Sequence, residues 1–103
     1  MSNLIDVIVD NLDEDELLCQ FAEEASELAQ AALKLRRARN QKNPTPKTAK
    51  ECYDQLMEEM CDVRVCWYAL GLNSDHNLRR MAEIEEKKIM RWAERLEDKE
   101  NNA

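Results

Sequence analysis

Glycine and proline stand at only three positions of this 103-residue chain, Pro44, Pro46 and Gly71. Tight turns draw heavily on these two residues. A β-sandwich, a barrel or a doubly wound sheet needs such turns often, so all three are excluded. The breakers also punctuate the chain into long stretches rich in Ala, Leu, Glu, Lys, Gln, Arg and Met, the strong helix formers. With 36% charged and 44% hydrophobic residues, those stretches suit amphipathic helices and carry too much apolar mass for disorder. The length allows one domain, residues 1–103, and no second independent core. The expected fold is all-α: an antiparallel helical bundle of three main helices plus a short N-terminal segment, completed by oligomerisation.

Local signals place the helices. Residues 4–9 (LIDVIV) form an apolar lead-in within a segment ending near residue 12. Asp13 followed by Glu16 has the spacing of a capping box, so a long helix is expected from about 14 to 39. The segment NQKNPTP breaks it. Thr45 and Pro46 offer an N-cap and first-turn pair for a second helix, which ends near Leu70 with Gly71 as its left-handed C′ residue. Ser74 or Asp75 caps a third helix running to about 97, followed by a polar tail, 98–103.

Twenty-two acidic against fifteen basic side chains give a net charge of −7, which disfavours nucleic acid as a partner. No apolar run is long enough for a membrane span, and MSNLIDVIVD lacks the basic start and cleavage site of a signal peptide. Cysteines at 19, 52, 61 and 66 form no CxxC pair. Three of them are expected as buried reduced thiols, and the expected compartment is cytoplasmic. From Met60 to Leu72 the only charged residues are Asp62 and Arg64, and apolar side chains occupy every face. A helix apolar all round must be covered all round. The other two helices are too few to do so, and a homodimer or homotetramer is expected.

Placement on the helical wheel singles out a few acids. At about 100° per residue, Glu24 falls within the arc of Leu17, Phe21, Leu28, Ala31 and Leu35, with Glu27 at its edge and Glu23 facing solvent. On the second helix Glu59 lies near Cys52, Cys66 and Leu70, Asp62 sits one step further round inside the apolar half, and Glu58 points outward. Two carboxylate pairs at i, i+3 therefore border the core, and an antiparallel packing of their helices would bring all four acids together. Carboxylates converging in a partly dry site call for a compensating cation. Oxygen-only ligation suits Mg²⁺, or Mn²⁺, and Mg²⁺ commonly arrives with a phosphorylated substrate. A ferritin-like di-iron site would need Glu-x-x-His motifs, and the one histidine, His76, is not placed for them.

Glu23-Glu24-Ala25-Ser26-Glu27-Leu28 and Glu58-Glu59-Met60-Cys61-Asp62-Val63 together resemble the EExxE…ExxD signature of the MazG-like nucleotide pyrophosphohydrolases, an all-α superfamily that includes dimeric dUTPases and dCTP pyrophosphatases. The likeness spans roughly residues 14–96. It implies Mg²⁺ ligation by Glu24, Glu27, Glu59 and Asp62. It also implies a triphosphate contact from the KxxR-aromatic element Lys88-Ile89-Met90-Arg91-Trp92. The implied activity is hydrolysis of nucleoside triphosphates, dNTPs among them, to monophosphate and pyrophosphate in nucleotide-pool housecleaning.

In that reading Glu24 or Glu27 takes the proton from an attacking water, and Lys88 and Arg91 stabilise the leaving pyrophosphate. Lys88 and Arg91 equally fit ordinary helix pairing with Glu83, Glu94 or Glu97. A second basic group, Lys34, Arg36, Arg37, Arg39, Lys42, Lys47 and Lys50, has no acid within it. It complements a helix C-terminus, closes over a triphosphate or touches nucleic acid. The rival to an enzyme is a non-catalytic helical dimer, an adaptor or regulator, whose acids are only surface.

Overall fold

A computed structural model describes residues 3–40 and 42–101, and all of its regular structure is helical. Four helices follow one another: α1 (Leu4–Asn11), α2 (Glu14–Asn40), α3 (Ala49–Ala69) and α4 (Asp75–Asn101). The expected lead-in segment is thus a helix in its own right. Asn3 caps it, its side-chain oxygen accepting from the Ile5 N–H at 2.9 Å.

Each long helix begins on a side-chain cap. The Glu16 N–H donates to Asp13 Oδ1 at 2.8 Å, as the Asp13/Glu16 spacing predicts. The start of α3 differs from expectation. Thr48, not Thr45, is its N-cap, and Pro46 lies in the preceding loop. The reason is reciprocal bonding. The Glu51 N–H donates to Thr48 Oγ1 at 3.1 Å and the Thr48 N–H to Glu51 Oε1 at 3.3 Å. Thr45 has Thr48 three residues on and so has no carboxylate to complete such a box.

At the far end Gly71 takes the C′ position with φ +72°. Its N–H reaches the Tyr68 carbonyl at 2.9 Å and the Leu72 N–H the Trp67 carbonyl at 3.3 Å, the two bonds of a Schellman motif. Ser74 starts α4, its Oγ accepting from the Asn77 N–H at 3.2 Å. α4 continues to Asn101, so residues 98–101 of the expected polar tail are helical. Gln41 and residues 102–103 lie outside the described residues.

The chain divides into two compact units, residues 1–72 and 73–103. Within the first, α2 packs along α3 and α1 also packs on α3. One cleft is lined by Leu17, Gln20 and Glu24 with Asp62, Val65, Cys66 and Ala69. A second is lined by Glu27, Ala31 and Lys34 with Cys52, Gln55 and Glu59. Rising numbers on one helix meet falling numbers on the other, so α2 and α3 run antiparallel.

The buried apolar residues are Leu17, Ala31 and Leu35 of α2 and Cys52, Cys66 and Ala69 of α3. Leucines on one helix against cysteine and alanine on the other let the two backbones approach closely. Cys19 and Cys61 are exposed, which corrects the expectation of three buried thiols to two, and all four thiols are free. The second unit, α4, carries an apolar stripe that includes Leu78, Met81, Ile89, Trp92 and Leu96 beside Lys88 and Arg91. Among the described residues no helix is long and apolar enough to cross a membrane.

Candidate functional site

The close approach of α2 and α3 brings three of the four expected acids together. Glu24, Glu27 and Glu59 each offer a carboxylate oxygen, and these oxygens lie within 4.8 Å of one another. Oxygens on one Mg²⁺, at about 2.1 Å each, are at most about 4.2 Å apart. Three ligands of one octahedral ion include adjacent pairs only about 3 Å apart, so the carboxylates must draw together to close around one cation. Glu24 and Glu59 are half-buried and Glu27 is exposed, while Glu23 and Glu58 face solvent. That matches the order given by the wheel.

Asp62 departs from it. Its side chain is exposed and stands outside the three-acid cluster, lining the neighbouring cleft with Glu24. It lies one turn nearer the C-terminus of α3, opposite Gln20 and Glu24 rather than Glu27.

Two glutamines hold the half-buried acids, and neither stands out in the sequence as a site residue. Gln20 Nε2 donates to Glu24 Oε1 at 2.7 Å, and Gln55 Nε2 donates to Glu59 Oε1 at 2.6 Å. Each glutamine precedes its acid by one helical turn, so the same Gln-x-x-x-Glu device appears on both helices. In each acid the other oxygen, Oε2, is buried and has no hydrogen-bond partner. An oriented carboxylate with one oxygen held and one bare is a prepared ligand, because an unsatisfied buried acceptor costs free energy until something binds it.

The crowding of like charge shows in Glu27. The neighbouring Glu24 carboxylate, then that of Glu59, pushes its carboxyl above the usual 4.5. Burial, then Glu24 and Asp62, raises the Cys66 thiol from 9.0, so it remains a protonated packing residue.

The cleft holding Glu27 and Glu59 has a volume of about 370 Å³, within the usual range of small-molecule sites, about 300–1,000 Å³. Its acids lie at one end. Lys34 of α2 and Lys47 of the loop before α3 also line it, with Gln30 and Gln55. The cleft on the other side of Glu24, about 230 Å³, is largely apolar, walled by Ile8, Leu12, Leu17, Val65, Cys66 and Ala69. Lys88 and Arg91 belong to α4, in the second unit, and both are exposed.

No family model, curated protein or solved structure matches the chain in comparison. What it does must therefore be argued from its own residues and their arrangement.

Proposed function

We propose that the chain is a Mg²⁺-dependent nucleoside triphosphate pyrophosphohydrolase that splits its substrate into nucleoside monophosphate and pyrophosphate. The observation that carries this reading is the meeting of Glu24, Glu27 and Glu59, with a bare buried oxygen on each of the two half-buried acids. The MazG-like EExxE…ExxD pattern supports it independently, since the acids that meet are three of the four the resemblance names. Mn²⁺ serves the same oxygen ligands.

Bound Mg²⁺ supplies charge neutralisation at the phosphates and a lower pKa for a bound water. The residues do the rest. Glu24, Glu27 and Glu59 would hold the cation, with Asp62, which lines the cleft beside Glu24, as the fourth acid of the set. Glu24 or Glu27 takes the proton from the attacking water. Water oxygen bonds to phosphorus, its proton passes to the carboxylate, and the bridging anhydride oxygen leaves with pyrophosphate. Deoxynucleoside triphosphates fall within the class, and pool housecleaning is the corresponding role in the cytoplasm.

The test is pyrophosphate release from a panel of NTPs and dNTPs, with Mg²⁺, with Mn²⁺ and with chelator. Metal-dependent release from at least one substrate is expected. No release from any of them with either metal overturns the reading in favour of a non-catalytic helical adaptor or regulator.

A further inference from the structure

The cleft beside the acids has opposite charge at its two ends. Glu27 and Glu59 stand at one, and Lys34 and Lys47 also face into it. Among the described residues neither lysine has an ion-pair partner; the pair that Lys50 makes with Asp54 shows what a satisfied lysine of the same region looks like. A free polyanion would be repelled by the carboxylates and a free cation by the ammoniums. A cation already carrying a polyphosphate satisfies both ends at once.

Spacing narrows the ligand further. Lys34 follows Glu27 by seven residues on one helix, two turns or roughly 10.5 Å of rise. That separation suits a chain of phosphates better than a single one. The apolar-walled cleft that Glu24 also lines lies on the opposite side, toward the start of α2. A nucleoside is therefore directed away from the lysines and the phosphate tail toward them.

We propose that Lys34 and Lys47 form the subsite for the distal phosphates of the substrate, and so for the pyrophosphate that leaves. This rests on the metal-dependent reading above and adds the direction in which the substrate lies. The bond broken is the anhydride between the phosphoryl group that stays with the nucleoside and the two held by the lysines. The departing oxygen carries its negative charge toward them as the bond opens.

Calorimetric titration of inorganic pyrophosphate, with Mg²⁺ and with chelator, tests the proposal on the wild type and on Lys34→Gln, Lys47→Gln and the double variant. Both lysines are exposed, so the substitutions leave packing intact. Removing one charge-assisted hydrogen bond at either site weakens Mg²⁺-pyrophosphate binding about ten- to a hundredfold, while Mg²⁺ alone binds every variant as it binds the wild type. Lys99→Gln, an equal change of charge in the last turn of α4, retains wild-type binding. Unchanged pyrophosphate affinity in the double variant, with Mg²⁺ still bound, overturns the lysine subsite and leaves the acid centre standing. Lysine-dependent pyrophosphate binding in a protein that binds no Mg²⁺ upholds the subsite and overturns the acid centre. A wild type that binds no pyrophosphate in either condition overturns the subsite outright.

Discussion

Glu59 and Glu58 are adjacent in sequence and opposite in circumstance. One is half-buried with Gln55 on one oxygen and nothing on the other; the other faces solvent. Glu59→Gln should therefore abolish most phosphohydrolase activity, by about a hundredfold or more if a metal ligand is worth about 2.7 kcal/mol, while the apo protein melts at or above the wild-type temperature because one repelling charge is gone. Glu58→Gln should leave both nearly unchanged. Equal losses of activity at the two positions would show that the inner acid has no special role.

Glu27 gives a pH signature. Its carboxyl sits above 4.5 in the folded protein because Glu24 and Glu59 are close, so the folded state binds that proton more tightly than the unfolded chain. The stability due to this group is fully present below about pH 4.5 and is lost as pH rises through the raised folded value. Without metal, Glu27→Gln should gain melting temperature over wild type progressively as pH rises above about 4.5 through the raised folded value, and added Mg²⁺ should narrow the gap by stabilising the wild type. A gap independent of pH would dissociate Glu27 from the cluster. The wheel reached Glu24, Glu27 and Glu59 because half-buried acids fall on the apolar arc. Asp62 stands outside the cluster, because an ideal wheel fixes angle but not which turn of the neighbouring helix stands opposite. Gln20 and Gln55 escape the wheel because it sorts acids by angle and does not ask which side chain one turn earlier holds them.

At the scale of elements the ends of helices were read with uneven success, and the uneven part is instructive. Gly71 was readable because one residue type answers one need, a positive φ. The start of α3 offered two threonines, and Pro46 drew attention to the wrong one. The reciprocal Thr48–Glu51 bonds decide it. Thr48→Ala should cost about 1 kcal/mol of stability, or roughly 4–8 °C in melting temperature for a domain of about this size, measured at fixed protein concentration. Thr45→Ala should cost little. The reverse order would return the helix start to Thr45. The placement also has a functional side. With α3 beginning at Ala49, Lys47 stays in the loop and lines the cleft instead of turning with a helix.

The buried apolar set contains two leucines and four residues no larger than cysteine, a small core for amphipathic helices of this length. On α3, Tyr53, Met57 and Met60 lie on the side away from Glu59 and Cys66, and all three are exposed, by 41–48%. The stripe leads into Met60–Leu72, the segment that the sequence marks as apolar all round. Arg64 closes part of it by donating to Tyr68 Oη at 2.7 Å, which leaves its aromatic neighbour oriented without covering the stripe. A contiguous apolar stripe of this kind on a well-folded chain calls for a partner, and a second copy presenting the same stripe is the self-complementary solution. Light scattering at micromolar concentration should give about two or four times the 12.1 kDa of one chain. Met57→Lys, which places an ammonium within the stripe, should lower that mass while the helical signal in circular dichroism persists. Cys61, exposed on one chain and next to Met60, should react slowly with a thiol reagent in the wild-type assembly and quickly in the variant. A wild-type protein that scatters as a folded monomer, with Cys61 reactive from the outset, would leave the stripe open to solvent and remove the case for assembly through α3.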